Sequence, residues 1–186
     1  MAMSLFRKEG WTGRITMITA DTNLPYDRPK LSKNLGVKHE AIMLRKPAWY
    51  EKVGELMQTF REYSNSNYFQ AKIEVRKGGR VTGIEAEERR VRLEDGAAVE
   101  YSKLLVCTGG VPRQLGVRGE DLAGVSYLRT IADANLVHRE AARKHVVVIG
   151  TSFIGMEVAA ALIDHAASVT VIGRDKVPFQ VRGETF

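Results

Sequence analysis

The chain has 186 residues, 44% hydrophobic and 27% charged, which suits one ordinary soluble globular domain with a real core. Its net charge is +6, but Lys and Arg alternate with Asp and Glu along the chain, which argues for a solvated mixed surface and against a specific nucleic-acid-binding face. One cysteine, Cys107, excludes an internal disulfide or a Cys-x-x-Cys pair, four scattered histidines lack metal-ligand spacing, and no apolar run reaches the length of a membrane span.

RITMIT at 14–19 reads as a buried strand. LPYDRPKLSKNLG follows, where two prolines forbid a long regular element and KLSKNLG forms at most one helical turn, closed by Gly36. Pro47 opens a candidate helix, PAWYEKVGELMQTFREY, with Val53, Leu56, Met57 and Phe60 at helical spacing. SNSNYF ends it. Short strands come next: KIEVR, RVTGIEAE, RRVRLE and AVEYSKLLVCT, with Asp95–Gly96 as a hairpin turn between the last two. GGVPRQLGVRGEDLAGV is glycine-rich and irregular. TIADANLVHREAARK is a helix with Thr130 as its cap. Strand, turn, helix and strand then follow in HVVVIGTSFIGMEVAAAL and SVTVIG. The sum is an α/β fold with an antiparallel three-strand piece in the middle.

The last turn carries chemistry. In a dinucleotide-binding unit the first glycine permits a tight turn, the second lets the backbone approach the pyrophosphate, and the third lets helix and strand pack closely. Gly150 and Gly155 stand at the first and third places, and Ser152 at the second. Serine is small and donates a hydrogen bond, but gives up backbone latitude. Phe153 and Ile154 open the helix whose N-terminus would take the phosphates. The end of the second strand usually presents an acid to the ribose hydroxyls. Here Gly173 holds that place and Arg174 follows. Two readings stay open: Arg174 meets a 2′-phosphate, as in NADP, or Asp175 takes the acid's role after a loop shift.

LPYDRPKLSK, YSKLLVCTGGVPR and VVVIGTSFIGMEVAAAL, in this order, resemble the two-dinucleotide flavoprotein family of ferredoxin-type reductases and apoptosis-inducing factors. PYDRPKLSK and GMEVAA are most similar to the apoptosis-inducing factor 3 branch. The resemblance covers nearly the whole chain. It implies an FAD-dependent NAD(P)H oxidoreductase that passes hydride from nicotinamide to flavin and electrons on to an acceptor such as an iron–sulfur protein or domain. It places residues 1–143 in an FAD-binding domain and 144–186 at the start of an inserted NAD(P)-binding Rossmann domain. By the same resemblance FAD contacts come from Asp21, Arg28, Lys33, Val81, Thr108, Gly109 and Arg113, with NAD(P) at Gly150, Ser152, Phe153, Ile154, Gly155, Glu157 and Arg174. Lys33 and Glu157 are expected to form an ion pair that tunes the flavin, since a fixed cation favours the reduced, more negative ring. Read on their own, Asp21 is equally a turn aspartate, and Cys107 is a small buried hydrophobe.

Three departures from the family pattern shape the expectation. No strand and glycine-rich turn precede RITMIT, so the first βα unit of the FAD domain is missing. The later return of the FAD domain, the C-terminal domain and any Rieske-type module are not in the chain. The stretch 53–72 is an insertion. The chain is therefore expected to be an incomplete two-dinucleotide-binding-domain flavoprotein, inactive alone, placed in mitochondrion or cytoplasm. The alternative is a non-catalytic truncated isoform acting as an interaction protein, with a lone NADP-binding module as a further rival.

Overall fold

The computed structural model describes residues 6, 9–51, 73–174 and 177–179. The chain separates into two compact units: Met1–Tyr26 with Met43–Gly109, and Asp27–Ile42 with Gly110–Phe186.

In the first unit, β1 (Ile15–Thr19) pairs in parallel with β2 (Ile73–Lys77), Ile15 opposite Ile73 and Thr19 opposite Lys77. The expected buried strand at RITMIT is half-buried along its whole length, because its sheet has two strands among the described residues. Ile15, Met17, Leu24 and Val75 close on Ile73 and on Tyr50 of α3 (Pro47–Glu51). Burial raises the Tyr50 phenol above its ordinary range. The helix predicted from Pro47 to Tyr63 begins as expected; residues 52–72, with the predicted continuation and the insertion, lie outside the described residues.

The antiparallel piece forms as predicted: β3 (Val81–Glu85), β4 (Arg90–Leu93) and β5 (Ala98–Glu100), in that order. At the β4–β5 turn Gly96 takes φ +85°, which a side chain would oppose, and Ala97 N–H donates to Asp95 Oδ1 at 2.9 Å. Val91, Leu93 and Val99 bury together on one face. Arg90 and Arg92 both pair with Glu85 on the other strand.

AVEYSKLLVCT departs from expectation. Only Ala98–Glu100 is strand, and Leu104, Leu105 and Val106 are 41%, 54% and 57% exposed. A strand holds its shape through a neighbour's hydrogen bonds, and no described strand lies beside this stretch. The same exposure corrects Cys107, which is at the surface and not a buried hydrophobe.

The second unit holds α1 (Lys30–Lys33), α2 (His39–Ile42), α4 (Ile131–Ala141), β6 (His145–Ile149), α5 (Phe153–Leu162) and β7 (Ser168–Ile172). The single turn at KLSKNLG is α1, with Gly36 at φ +76° after it; α2 was not foreseen. Thr130 caps α4 through a reciprocal box: Asp133 N–H donates to Thr130 Oγ1 at 3.2 Å and Thr130 N–H to Asp133 Oδ2 at 2.8 Å. The β6 and β7 strands run in parallel, Val146 opposite Val169 and Ile149 opposite Ile172, joined through α5. Leu162 and Ala159 anchor α5 in the interior, while Val147, Ile149 and Ile172 are more than half exposed.

Candidate functional site

Two groups of predicted site residues are drawn together in the second unit. The first is the turn from β6 into α5. Gly150 has φ +117°, a conformation open to glycine, and its N–H donates to Ile172 O at 2.8 Å, which ties the turn to the end of β7. Gly155 lies in the first turn of α5. A Cβ there would lie 2.0 Å from Gly150 O, so helix and turn touch backbone to backbone, the contact the third glycine of a dinucleotide turn is there to allow.

Ser152 is the N-cap of α5, extended at φ −84° and ψ 179°, and its side chain makes no capping hydrogen bond. The first amides of α5 are thus left without the usual side-chain acceptor, and the dipole makes this end positive. A cleft of about 520 Å³ opens here, lined by Ile149, Gly150, Thr151, Ser152, Ile172, Gly173 and Arg174. Phe153 and Ile154 are about 60% exposed beside it, and the Phe153 ring meets Phe179 at 5.2 Å. The turn therefore brings together Gly150, Ser152, Phe153, Ile154, Gly155 and Arg174. Its glycines, unfilled amides and cation suit a dinucleotide's phosphates. Asp175 lies outside the described residues.

The second group joins α1 to α5. Lys33 Nζ donates to Glu157 Oε1 at 2.5 Å, so the expected pair forms. Ser32, buried in the interior, donates to Glu157 Oε2 at 2.5 Å. One carboxylate is thus gripped by two successive residues of a single helical turn. Sequence reasoning missed Ser32. Nothing in the sequence marks it, since its partner is 125 positions away. Nearby, Arg28 Nη1 donates to Arg129 O at 2.8 Å.

The Lys33 and Ser32 hydrogen bonds hold the Glu157 carboxyl below the usual glutamate range, Lys33 contributing more. The ionised form is the bonded one, so the pairing is complete above that range and is lost as pH falls through the lowered value. Lys33→Met is expected to move the Glu157 titration midpoint up by more than Ser32→Ala does. Carbon-detected NMR of the Glu157 carboxyl checks the order; a larger shift for the serine variant would reverse it.

The remaining expected FAD residues divide between the units. Asp21 holds its own loop: Oδ1 accepts from Asn23 N–H at 2.9 Å and Oδ2 from the Tyr26 hydroxyl at 3.1 Å. Val81 begins β3 at an irregular register, 38% exposed. Thr108 and Gly109 lie in exposed chain, Gly109 at φ +70°. Arg113 is exposed in the irregular segment of the second unit.

The pyridine nucleotide-disulphide oxidoreductase family model matches residues 1–184. Human apoptosis-inducing factor 3 is 39% identical over 174 residues, 94% of this chain and 26% of its own length. The ferredoxin–NAD(+) reductase component of the anthranilate 1,2-dioxygenase system of Burkholderia cepacia is 39% identical over 164 residues, 85% of this chain and 36% of its own. Among solved structures, the covalent putidaredoxin reductase–putidaredoxin complex aligns with TM-score 0.73 and 32% identity, over 91% of this chain and 38% of that one. The ferredoxin reductase for the CYP199A2 system of Rhodopseudomonas palustris aligns with TM-score 0.69 and 31% identity, over 90% and 38%. The chain thus spans between a quarter and two fifths of the length of these relatives.

Proposed function

The chain belongs to the pyridine nucleotide-disulphide oxidoreductase family, and from that premise we propose that it is part of an FAD-dependent NAD(P)H oxidoreductase. Its residues 144–186 begin the NAD(P)-binding domain and residues 1–143 contribute part of the FAD-binding domain. The observation that carries the proposal is the contact of Gly155 with Gly150 O, which draws α5 onto the turn and leaves its first amides beside the cleft.

When bound, FAD and NAD(P)H supply the hydride and electron chemistry, and the chain supplies placement and charge. Gly150, Ser152 and Gly155 hold the nucleotide's phosphates through backbone amides. Lys33 brings a positive charge toward the flavin, and Glu157, fixed by Ser32, orients it. By the resemblance Asp21 would meet the FAD adenosine ribose, at the loop after β1 that it shapes.

The acceptor we propose is an iron–sulfur protein or domain. The Burkholderia relative is named for ferredoxin, and the solved complex holds a reductase with putidaredoxin. A link to apoptosis rests on the names of the human and mouse relatives; placement in mitochondrion or cytoplasm is part of the same proposal.

The test begins with the nucleotide. Titration of the purified chain with NADH or NADPH is expected to shift the amide resonances of Gly150, Ser152, Phe153, Ile154 and Gly155. Millimolar nucleotide without such shifts would overturn the reading. A second expectation concerns flavin. The chain carries part of the FAD-contact set, so purified protein is expected to hold FAD far below one per chain and to show little NADH-dependent bleaching. Stoichiometric flavin absorbance would refute the proposed division of the FAD site between this chain and further sequence.

A further inference from the structure

The Glu157 carboxylate has two holders of unequal stiffness. The helical turn α1 is docked on both sides of Ser32. Before it, Arg28 Nη1 donates to Arg129 O at 2.8 Å. After it, Gly36 lies against an imidazole: a Cβ built there would meet His138 Cδ2 at 2.7 Å. Leu31 and Leu35 are buried between these ties. Ser32 is itself 5% exposed and reaches Glu157 Oε2 through a side chain with a single heavy-atom torsion. Its hydroxyl has one proton and two acceptors in range, Glu157 Oε2 at 2.5 Å and Pro29 O at 3.4 Å. The shorter, charge-assisted bond takes the proton.

Lys33 is built differently. Its side chain is 56% exposed and rests on a flexible four-carbon stem. Among the described residues it uses one of its three ammonium donors, on Glu157 Oε1. An ion pair this open to water gains little over its solvated parts and costs the entropy of a long side chain. A hydrogen bond from a buried hydroxyl to a carboxylate is stronger and orders far less chain. From this geometry we infer that Ser32 is the positioning residue of the site: it fixes the Glu157 carboxylate, and Lys33 is the member free to leave for an incoming anion while Glu157 stays in place. Charge and place thus come from different residues, since Lys33 does more to keep the carboxyl ionised. The inference rests on the reading that Lys33 and Glu157 face the cofactors.

The experiment is side-chain NMR of the 186-residue chain without nucleotide or flavin. In the unaltered chain, carbon relaxation is expected to show Glu157 Cγ ordered and Lys33 Cε mobile. Lys33→Met is expected to leave the three-bond couplings of Glu157 at the values of one rotamer. Ser32→Ala is expected to average those couplings, with loss of the nuclear Overhauser contacts between residue 32 and the Glu157 side chain. Ser32→Thr keeps the hydroxyl and is expected to restore the single rotamer. The Gly36 and His138 resonances report whether α1 stays docked. They are expected to hold in every variant, whereas a merely structural role for Ser32 would move them together with Glu157.

Equal order at Glu157 and Lys33 in the unaltered chain overturns the inference before any variant is made. So does a Glu157 side chain released by Lys33→Met, or one still held in Ser32→Ala. Displaced Gly36 and His138 resonances in Ser32→Ala overturn the positioning role and leave Ser32 as packing alone. None of these outcomes depends on a bound dinucleotide. Turn amides that fail to shift with nucleotide would instead overturn the reading of the site.

Discussion

Gly155→Ala is expected to unfold the turn that begins α5 and to abolish nucleotide binding. The added methyl carbon would sit 2.0 Å from Gly150 O and 3.0 Å from the Gly150 carbonyl carbon. Both are backbone atoms, so no side-chain rotation relieves the contact. Either α5 lifts away from β6, or the turn after Ile149 moves. Lifting the helix weakens the anchorage of Ala159 and Leu162, and moving the turn breaks the hydrogen bond from Gly150 N–H to Ile172 O. The loss is put at about 3 kcal/mol, the upper part of the usual range for overpacking. A fold with a margin of about 5–15 kcal/mol notices such a loss. Urea unfolding measures it, and nucleotide titration reads the cleft. Gly110→Ala is the matched control: a Cβ there meets nothing within 4 Å, and the change is expected to stay within about 0.5 kcal/mol. Similar midpoints for the two variants would show that the close approach of helix and turn is not what holds the cleft.

Leu162→Ala is expected to have the second large effect. Leu162 is fully buried, at the C-terminal end of α5. Its carbonyl accepts from His165 N–H at 3.0 Å and Ala166 N–H at 2.9 Å. The side chain thus lies where the helix turns back toward β7. Truncation removes its transfer energy and leaves a cavity, for a loss of about 2–5 kcal/mol. Ile163, the next residue, is 67% exposed, and Ile163→Ala is expected to cost under about 0.5 kcal/mol. The pair forms an internal comparison, since both changes shorten a branched aliphatic side chain within one turn. Chemical denaturation followed by circular dichroism checks it. A leucine variant as stable as its neighbour would place the core of this unit elsewhere.

Much of this was legible in the residues, and the legible parts share a property. The β6–α5–β7 unit, the Asp95–Gly96 hairpin, the Thr130 cap and the single turn at Lys30–Lys33 each depend on residues close in sequence. Periodicity, a positive φ at glycine and a capping side chain act within a few positions. Where expectation failed, a distant partner was decisive. AVEYSKLLVCT has the composition of a strand throughout but stops at Glu100, because β-propensity describes fitness for a sheet and does not supply one. Cys107 is exposed for the same reason.

The site divides along the same line. The glycines at 150 and 155, the serine between them and the cation after β7 are readable from spacing, because a βα turn builds them from adjacent positions. The lysine–glutamate pair was reached through resemblance. Neither Ser32 beneath Glu157 nor Thr151 against Gly173 is readable at all. Those contacts exist only once α1 packs on α5 and once the turn after β6 curls onto the end of β7. By itself, then, the sequence determined local geometry and the kind of ligand. The tertiary structure decided which carboxylate is clamped, and that Gly173 lies against Thr151. Both follow from distances across the fold, which neighbouring residues do not encode.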